Sequence, residues 1–300
     1  MTPARTRNPL VDDDKYYPDP TDRSSRQGRP VSRVVCHTTG GGVVQKAINA
    51  LWDGKVTAER LADPEQCELI TKYAVNYYRK GNGVSTTYVL GWWGDMWQTL
   101  DEDVRAWSAG MSSTHISAYN RGFRYWNNYE SILVGKKRKL IQARTMGLYQ
   151  WWAEEYKAIT GEMPRDNASP LEFFAGDPNP DLAGISIDFL APPTMTRNSD
   201  QRRVLGPQRS DWKLWSGADL YTRYQYSAFN LLCRELCSEY PHMQMDRRHV
   251  LTHSVTDPLS RVQFQPNGFE TVGYGYDPGE TWNLRWDWML SPTLVLGEYL

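Results

Sequence analysis

The stretch "RVVCHTTGGG", Arg33 to Gly42, decides how the rest of the chain is read. A β-branched run carries one histidine, His37, into a Thr/Gly-rich turn, the pattern of a buried strand that delivers a side chain to its carboxyl end. "HVLTHS", His249 to Ser254, repeats the arrangement and brings His253 to the end of a second strand. Strand carboxyl ends are where an α/β sheet presents ligands. A carboxylate follows in "YDPGETWNLRWDW", where Asp277 begins a turn that Trp282, Leu284 and Trp286 can anchor. Two histidines and one carboxylate, with a fourth position open, form the ligand set of a catalytic zinc site. Asp257, four residues after His253, is the alternative third ligand. Thiolate ligation is disfavoured, because Cys36 alternates to the opposite strand face from His37.

Working outward, "VVQKAINALWDG" and "PEQCELITKYAVNYYRKGNG" have helical spacing, each with glycine at its end. "STTYVLGWWGDMWQTL" reads as a β-hairpin around Gly94 and Asp95. "KRKLIQARTMGLYQWWAEEYKAI" reads as one helix, with "GKKRK" (Gly135 to Lys139) as its solvated start, and "GISIDFL" as a short strand. The spacing predicts an amphipathic helix over 219–240, with Leu220, Tyr224, Ala228, Leu231, Leu232 and Leu236 on one face and a cap from Ser216 with Asp219. Alternating strands and helices give an α/β class with a central mixed β-sheet flanked by helices. Residues 1–29 are polar and read as an extended N-terminal arm.

Composition narrows the classes. At 300 residues the chain can bury a sizeable core, and 40% hydrophobic with 23% charged residues is ordinary for a globular protein. A net charge of -1 gives no global reason to expect nucleic acid or an anionic membrane as partner. No apolar run approaches the roughly 18 residues of a membrane span. The N-terminus lacks the apolar core of a secretory signal, so synthesis in a cytoplasm without an export tag is expected. Cys36, Cys67, Cys233 and Cys237 lack metal or disulfide-scaffold spacing and read as reduced thiols. The 13 Trp and 18 Tyr supply flat surfaces that pack cores and, in clefts, stack on sugars.

The order of motifs resembles the zinc-dependent N-acetylmuramoyl-L-alanine amidases, the type 2 group that includes peptidoglycan recognition proteins and several phage endolysins. "CHTTG", "STTYVLGWWGDMWQTL", "RAWSAG", "ISIDF" and "THSVTDPLSR…YDPG" fall in that family's order between about residues 33 and 290. The resemblance implies a single amidase-like domain over 30–300, with inserted segments near 44–80, 111–183 and 262–275. It implies Zn²⁺ held by His37, His253 and Asp277. Asp188 falls where the family has a glutamate general base, and Arg261 where it has a lysine that stabilises the oxyanion. Trp107, Ser108, Thr86 and Trp93 are the expected substrate contacts, beside a hairpin that also carries Trp92 and Trp97. His115 reads as an exposed loop histidine close to the "AWSAG" motif.

Five departures stand out. Asp188 is one methylene shorter than glutamate, about an ångström of reach, and a base must come within roughly 2.6–3.2 Å of the proton it takes. Thr86 and Thr87 stand where some relatives have Tyr or His, and Ser108 replaces a histidine. Arg261 keeps the charge of lysine with different donor geometry. Some fifteen residues separate Arg261 from Asp277, where the family has almost none.

The implied function is hydrolysis of the amide between N-acetylmuramic acid and L-alanine, with the glycan strand and peptide stem of peptidoglycan as partners. The alternatives are an inactive amidase-fold protein that binds peptidoglycan or builds a phage particle, and a zinc hydrolase of another amide. A wall-directed activity without a signal peptide suggests an endolysin or virion component with virion partners, or a cytoplasmic recycling enzyme.

Overall fold

The structure, a computed structural model, describes residues 15, 22–39, 41–80, 83–108, 126, 129–134, 137–142, 148–166, 168–174, 180–193, 221–258, 262–264, 272–275, 277 and 284–293. Its strands are β1 (Arg23–Ser25), β2 (Arg33–Thr38), β3 (Tyr88–Leu90), β4 (Met96–Gln98), β5 (Val104–Ala106), β6 (Tyr129–Val134), β7 (Lys137–Gln142), β8 (Gly184–Phe189), β9 (Val250–Thr252), β10 (Val262–Phe264) and β11 (Val272–Gly275). Its helices are α1 (Gly41–Trp52), α2 (Ala58–Ala62), α3 (Pro64–Arg79), α4 (Leu148–Thr160), α5 (Arg223–Glu239), α6 (His253–Thr256) and α7 (Trp286–Met289).

Five strands form the central sheet in the order β4-β3-β8-β2-β9. β2 runs parallel to β8 and β9, β3 runs parallel to β8, and β4 closes the edge antiparallel to β3. The expected mixed α/β sheet is present. All six residues of β8 are buried, as a central strand covered on both faces requires.

The period of two along each strand sorts side chains between two layers. Val34, Cys36, Ile185, Ile187, Phe189, Tyr88 and Met96 face α5, where Tyr226, Phe229, Leu232, Cys233 and Leu236 complete one core. On the other face, Val35 and Leu251 pack with Trp152, Leu148 and Leu171 from the 148–174 segment. Val89 and Trp97 on that same face meet Val75 and Tyr78 of α3. His37 and Asp188 share a register position with Val89, so they emerge on this second face, between α3 and α4.

Four details differ from the sequence reading. Lys137–Gln142 is a strand paired with β6, so "GKKRK" does not open a helix; α4 begins at Leu148. A short apolar run inside charged residues fits either period, and pairing with Tyr129–Val134 decides it. The hairpin tip lies earlier than Gly94 and Asp95: Gly91 N–H bonds to the Asp95 carbonyl at 2.8 Å, leaving Trp92, Trp93 and Gly94 as the loop. Helix α5 starts after Thr222, whose hydroxyl accepts from Gln225 N–H while the Gln225 side chain accepts from Thr222 N–H. Leu220, Ser216 and Asp219 lie outside the described residues.

Within the segment read as an arm, Arg23–Ser25 pairs with β5. Next to it Arg26 is buried and donates to the carbonyls of Glu102, Asp181, Leu182 and Gly184. Among the described residues no helix is long and apolar enough to cross a membrane.

Candidate metal centre

Three parallel strands deliver the site. His37 is the penultimate residue of β2, Asp188 the penultimate residue of β8, and His253 follows β9 directly as the first residue of α6. Thr252 caps that short helix, its hydroxyl accepting from Val255 N–H, and this turns the chain so that His253 points inward. Asp277 arrives from far along the chain. Its Oδ1 accepts from Thr38 N–H at 2.9 Å, and its own carbonyl accepts from Ser254 N–H at 2.9 Å, so its backbone and side chain are tied to both histidine-bearing strands.

The side chains converge. His253 Nδ1 lies 2.8 Å from Asp277 Oδ2 and 3.1 Å from His37 Nδ1, and His37 Nδ1 lies 3.6 Å from Asp277 Oδ1. All three residues are buried. Among the described residues they form the group of His, Cys, Asp and Glu able to share one metal ion, with donor atoms within 4.8 Å of one another; Asp257 is not part of it. A tetrahedral zinc with about 2.0–2.1 Å bonds to nitrogen needs donors about 3.3 Å apart. The three separations bracket that value. Two imidazole nitrogens and a carboxylate oxygen converging at these separations make a donor set that fits a divalent cation.

The electrostatics keep the carboxylate of the group ionised. Burial alone would raise the Asp277 carboxyl, but the two imidazoles hold it well below the usual carboxylate range. Burial alone would lower His37, and the Asp277 carboxylate, helped by Asp188 and Asp181, reverses this and raises it. A ligand carboxylate kept ionised is what metal binding demands.

Asp188 sits beside His37 in strand register. Burial raises its pKa, against the pull of His37 and of the Thr86 and Tyr78 hydroxyls. A carboxyl so raised can hold and release a proton closer to neutrality than an ordinary aspartate. Tyr78 Oη donates to Asp188 Oδ1 at 2.8 Å.

The other expected contacts are dispersed. Thr86 is buried against Ser186, its hydroxyl 3.0 Å from Ser186 Oγ. Both the N–H and the hydroxyl of Ser108 bond to the Asp181 carboxylate. Trp107 is 40% exposed at the end of β5, its indole N–H directed to Ser24 Oγ. Trp93 stacks on Tyr224 with ring centroids 4.8 Å apart and donates to the Leu61 carbonyl, so both its face and its N–H are engaged in packing. Trp92 and Trp97 are buried as well. Arg261 and His115 lie outside the described residues. Thr38 N–H, Tyr78 and Asp181 take part without having been legible in the sequence. A backbone donor leaves no residue signature, and Tyr78 reads as one more aromatic on a helix face.

Among curated proteins no relative matches the chain. A solved structure described as a Se-Met AmpD derivative aligns over 80% of this chain and 82% of its own, at 13% identity and a TM-score of 0.33. The N-acetylmuramoyl-L-alanine amidase family matches residues 27–262, a span that contains both histidine strands, the hairpin and β8. With most of its length inside that match, the chain belongs to the N-acetylmuramoyl-L-alanine amidase family.

Proposed function

We propose that the chain is a zinc-dependent peptidoglycan hydrolase that cleaves the amide between N-acetylmuramic acid and L-alanine. The observation that supports this best is the gathering of ligand atoms of His37, His253 and Asp277 within 4.8 Å of one another, the two histidines delivered by parallel strands. Zinc bound there would supply Lewis acidity and lower the pKa of a water it holds to about 7.

The remaining work falls to the chain's own residues. His37, His253 and Asp277 would hold the metal, with the Asp277 carboxylate anchored by Thr38 N–H. A carboxylate oxygen of Asp188 takes a proton from the attacking water and returns it to the departing amine of L-alanine. Arg261 is assigned to the lactyl carbonyl as a cationic partner for the oxyanion. The exposed Trp107 face is assigned to the glycan. The wall-directed substrate is consistent with a lysis or virion-entry role for a phage protein, where virion partners would deliver it.

Product analysis tests the reading. Purified walls digested with the protein are expected to release free amino groups on L-alanine and no new reducing ends. New reducing ends without free alanine amines, or no digestion by metal-loaded protein, would overturn it.

A further inference from the structure

We propose that Tyr78 is a positioning residue for this reaction, holding the Asp188 carboxylate at the metal centre; this rests on the amidase reading above. Tyr78 lies in the last turn of α3, more than a hundred residues before Asp188, and only the fold brings them together. Its phenol donates to Asp188 Oδ1 at 2.8 Å, and among the described residues this is its one hydrogen bond.

Three observations separate it from an ordinary core tyrosine. First, its ring is clamped: Val75, Val89 and Trp97 pack around it, and Tyr77 meets it edge-on at 5.9 Å. A clamped ring fixes where its hydroxyl points. Second, Thr86 also reaches the Asp188 carboxylate, but its single proton has competing acceptors in the Tyr88 and Ser186 carbonyls and the Ser186 hydroxyl. Tyr78 is the committed donor. Third, the geometry suits a short side chain. Asp188 shares its strand position with His37 on one side and Val89 on the other, and the phenol comes down on the same face. An aspartate leaves room for that phenol, whereas a longer carboxylate would fill the space.

The consequence is a division of labour at one carboxylate. Oδ1 is tied to Tyr78, which fixes the side-chain rotamer and leaves Oδ2 to exchange protons in the site. Outer-shell partners of this kind typically account for about 10–100-fold in activity.

The test uses Tyr78→Phe, which keeps the ring packing and removes only the O–H. Expected are unchanged zinc content, unchanged KM, kcat lower by about 10-fold or more, and an Asp188 carboxylate rotated from its wild-type position in a crystal structure. Wild-type kcat with Asp188 unmoved would overturn the proposal. So would a double variant, Tyr78→Phe with Asp188→Asn, that is slower than Asp188→Asn alone, since a residue acting through Asp188 has nothing further to lose. Should the wild-type protein hydrolyse no wall at all, the amidase reading fails while the crystallographic comparison still decides whether Tyr78 places Asp188.

Discussion

At the scale of single residues, Asp277 is where the two halves of the site meet. It accepts from Thr38 N–H on one strand, and its carbonyl receives Ser254 N–H beside the other. Asp277→Asn keeps the shape and one acceptor oxygen but removes the charge that the imidazoles stabilise. Calorimetric titration with zinc is expected to show affinity falling by more than the roughly 10–100-fold typical of an outer-shell partner. The cysteines make a second prediction. Burial pushes the Cys67 thiol up to about 12, so at pH 8 only about one molecule in 10⁴ carries the thiolate. Iodoacetamide at pH 8 is therefore expected to leave Cys67 unmodified in folded protein and to label it fully in urea. His37, His253 and Asp277 were legible because each ends or begins a recognisable element. Tyr78 was not, because a helix face records that an aromatic is buried but not which carboxylate it will meet.

Between the residue and the molecule, elements form where local chemistry and pairing agree. The 88–98 hairpin needs Gly94, whose φ of +79° suits glycine and whose missing Cβ would stand 2.9 Å from the Tyr224 carbonyl. Helix α5 depends on Thr222, which accepts from Gln225 N–H and donates to the Trp92 carbonyl at 2.6 Å, joining the cap to the hairpin loop. Thr222→Ala is expected to cost about 1–2 kcal/mol, read from urea unfolding at unchanged m-value. β2, β8 and β9 were readable from their apolar runs. β7 was not, because "KRKLIQ" carries no decisive period and its strand state comes from pairing with Tyr129–Val134, a partner that local spacing does not reveal.

For the whole molecule, the layers explain how residues outside the central sheet support the site. Trp152 of α4 is fully buried with Trp126, Phe173, Val35 and Leu251, and its indole N–H donates to the Val255 carbonyl at 3.2 Å, two residues after His253. Helix α4 therefore buttresses the turn that carries a proposed ligand. Trp152→Ala is expected to destabilise the fold by about 3–5 kcal/mol in chemical denaturation, a large part of the 5–15 kcal/mol typical of a domain. Zinc affinity is expected to weaken alongside, because the α6 backbone loses its support. The α/β class followed from alternating strands and helices. That residues 148–174 pack directly behind β2 and β9 did not, since sequence order says nothing about which face of a sheet a helix covers.

The most direct measurement is elemental analysis of purified wild-type, His37→Ala and His253→Ala proteins, paired with a turbidity assay on isolated walls. About one zinc per wild-type chain is expected, with both metal and wall hydrolysis lost in each variant. A folded His253→Ala protein that carries no metal yet clears walls at the wild-type rate would contradict the account.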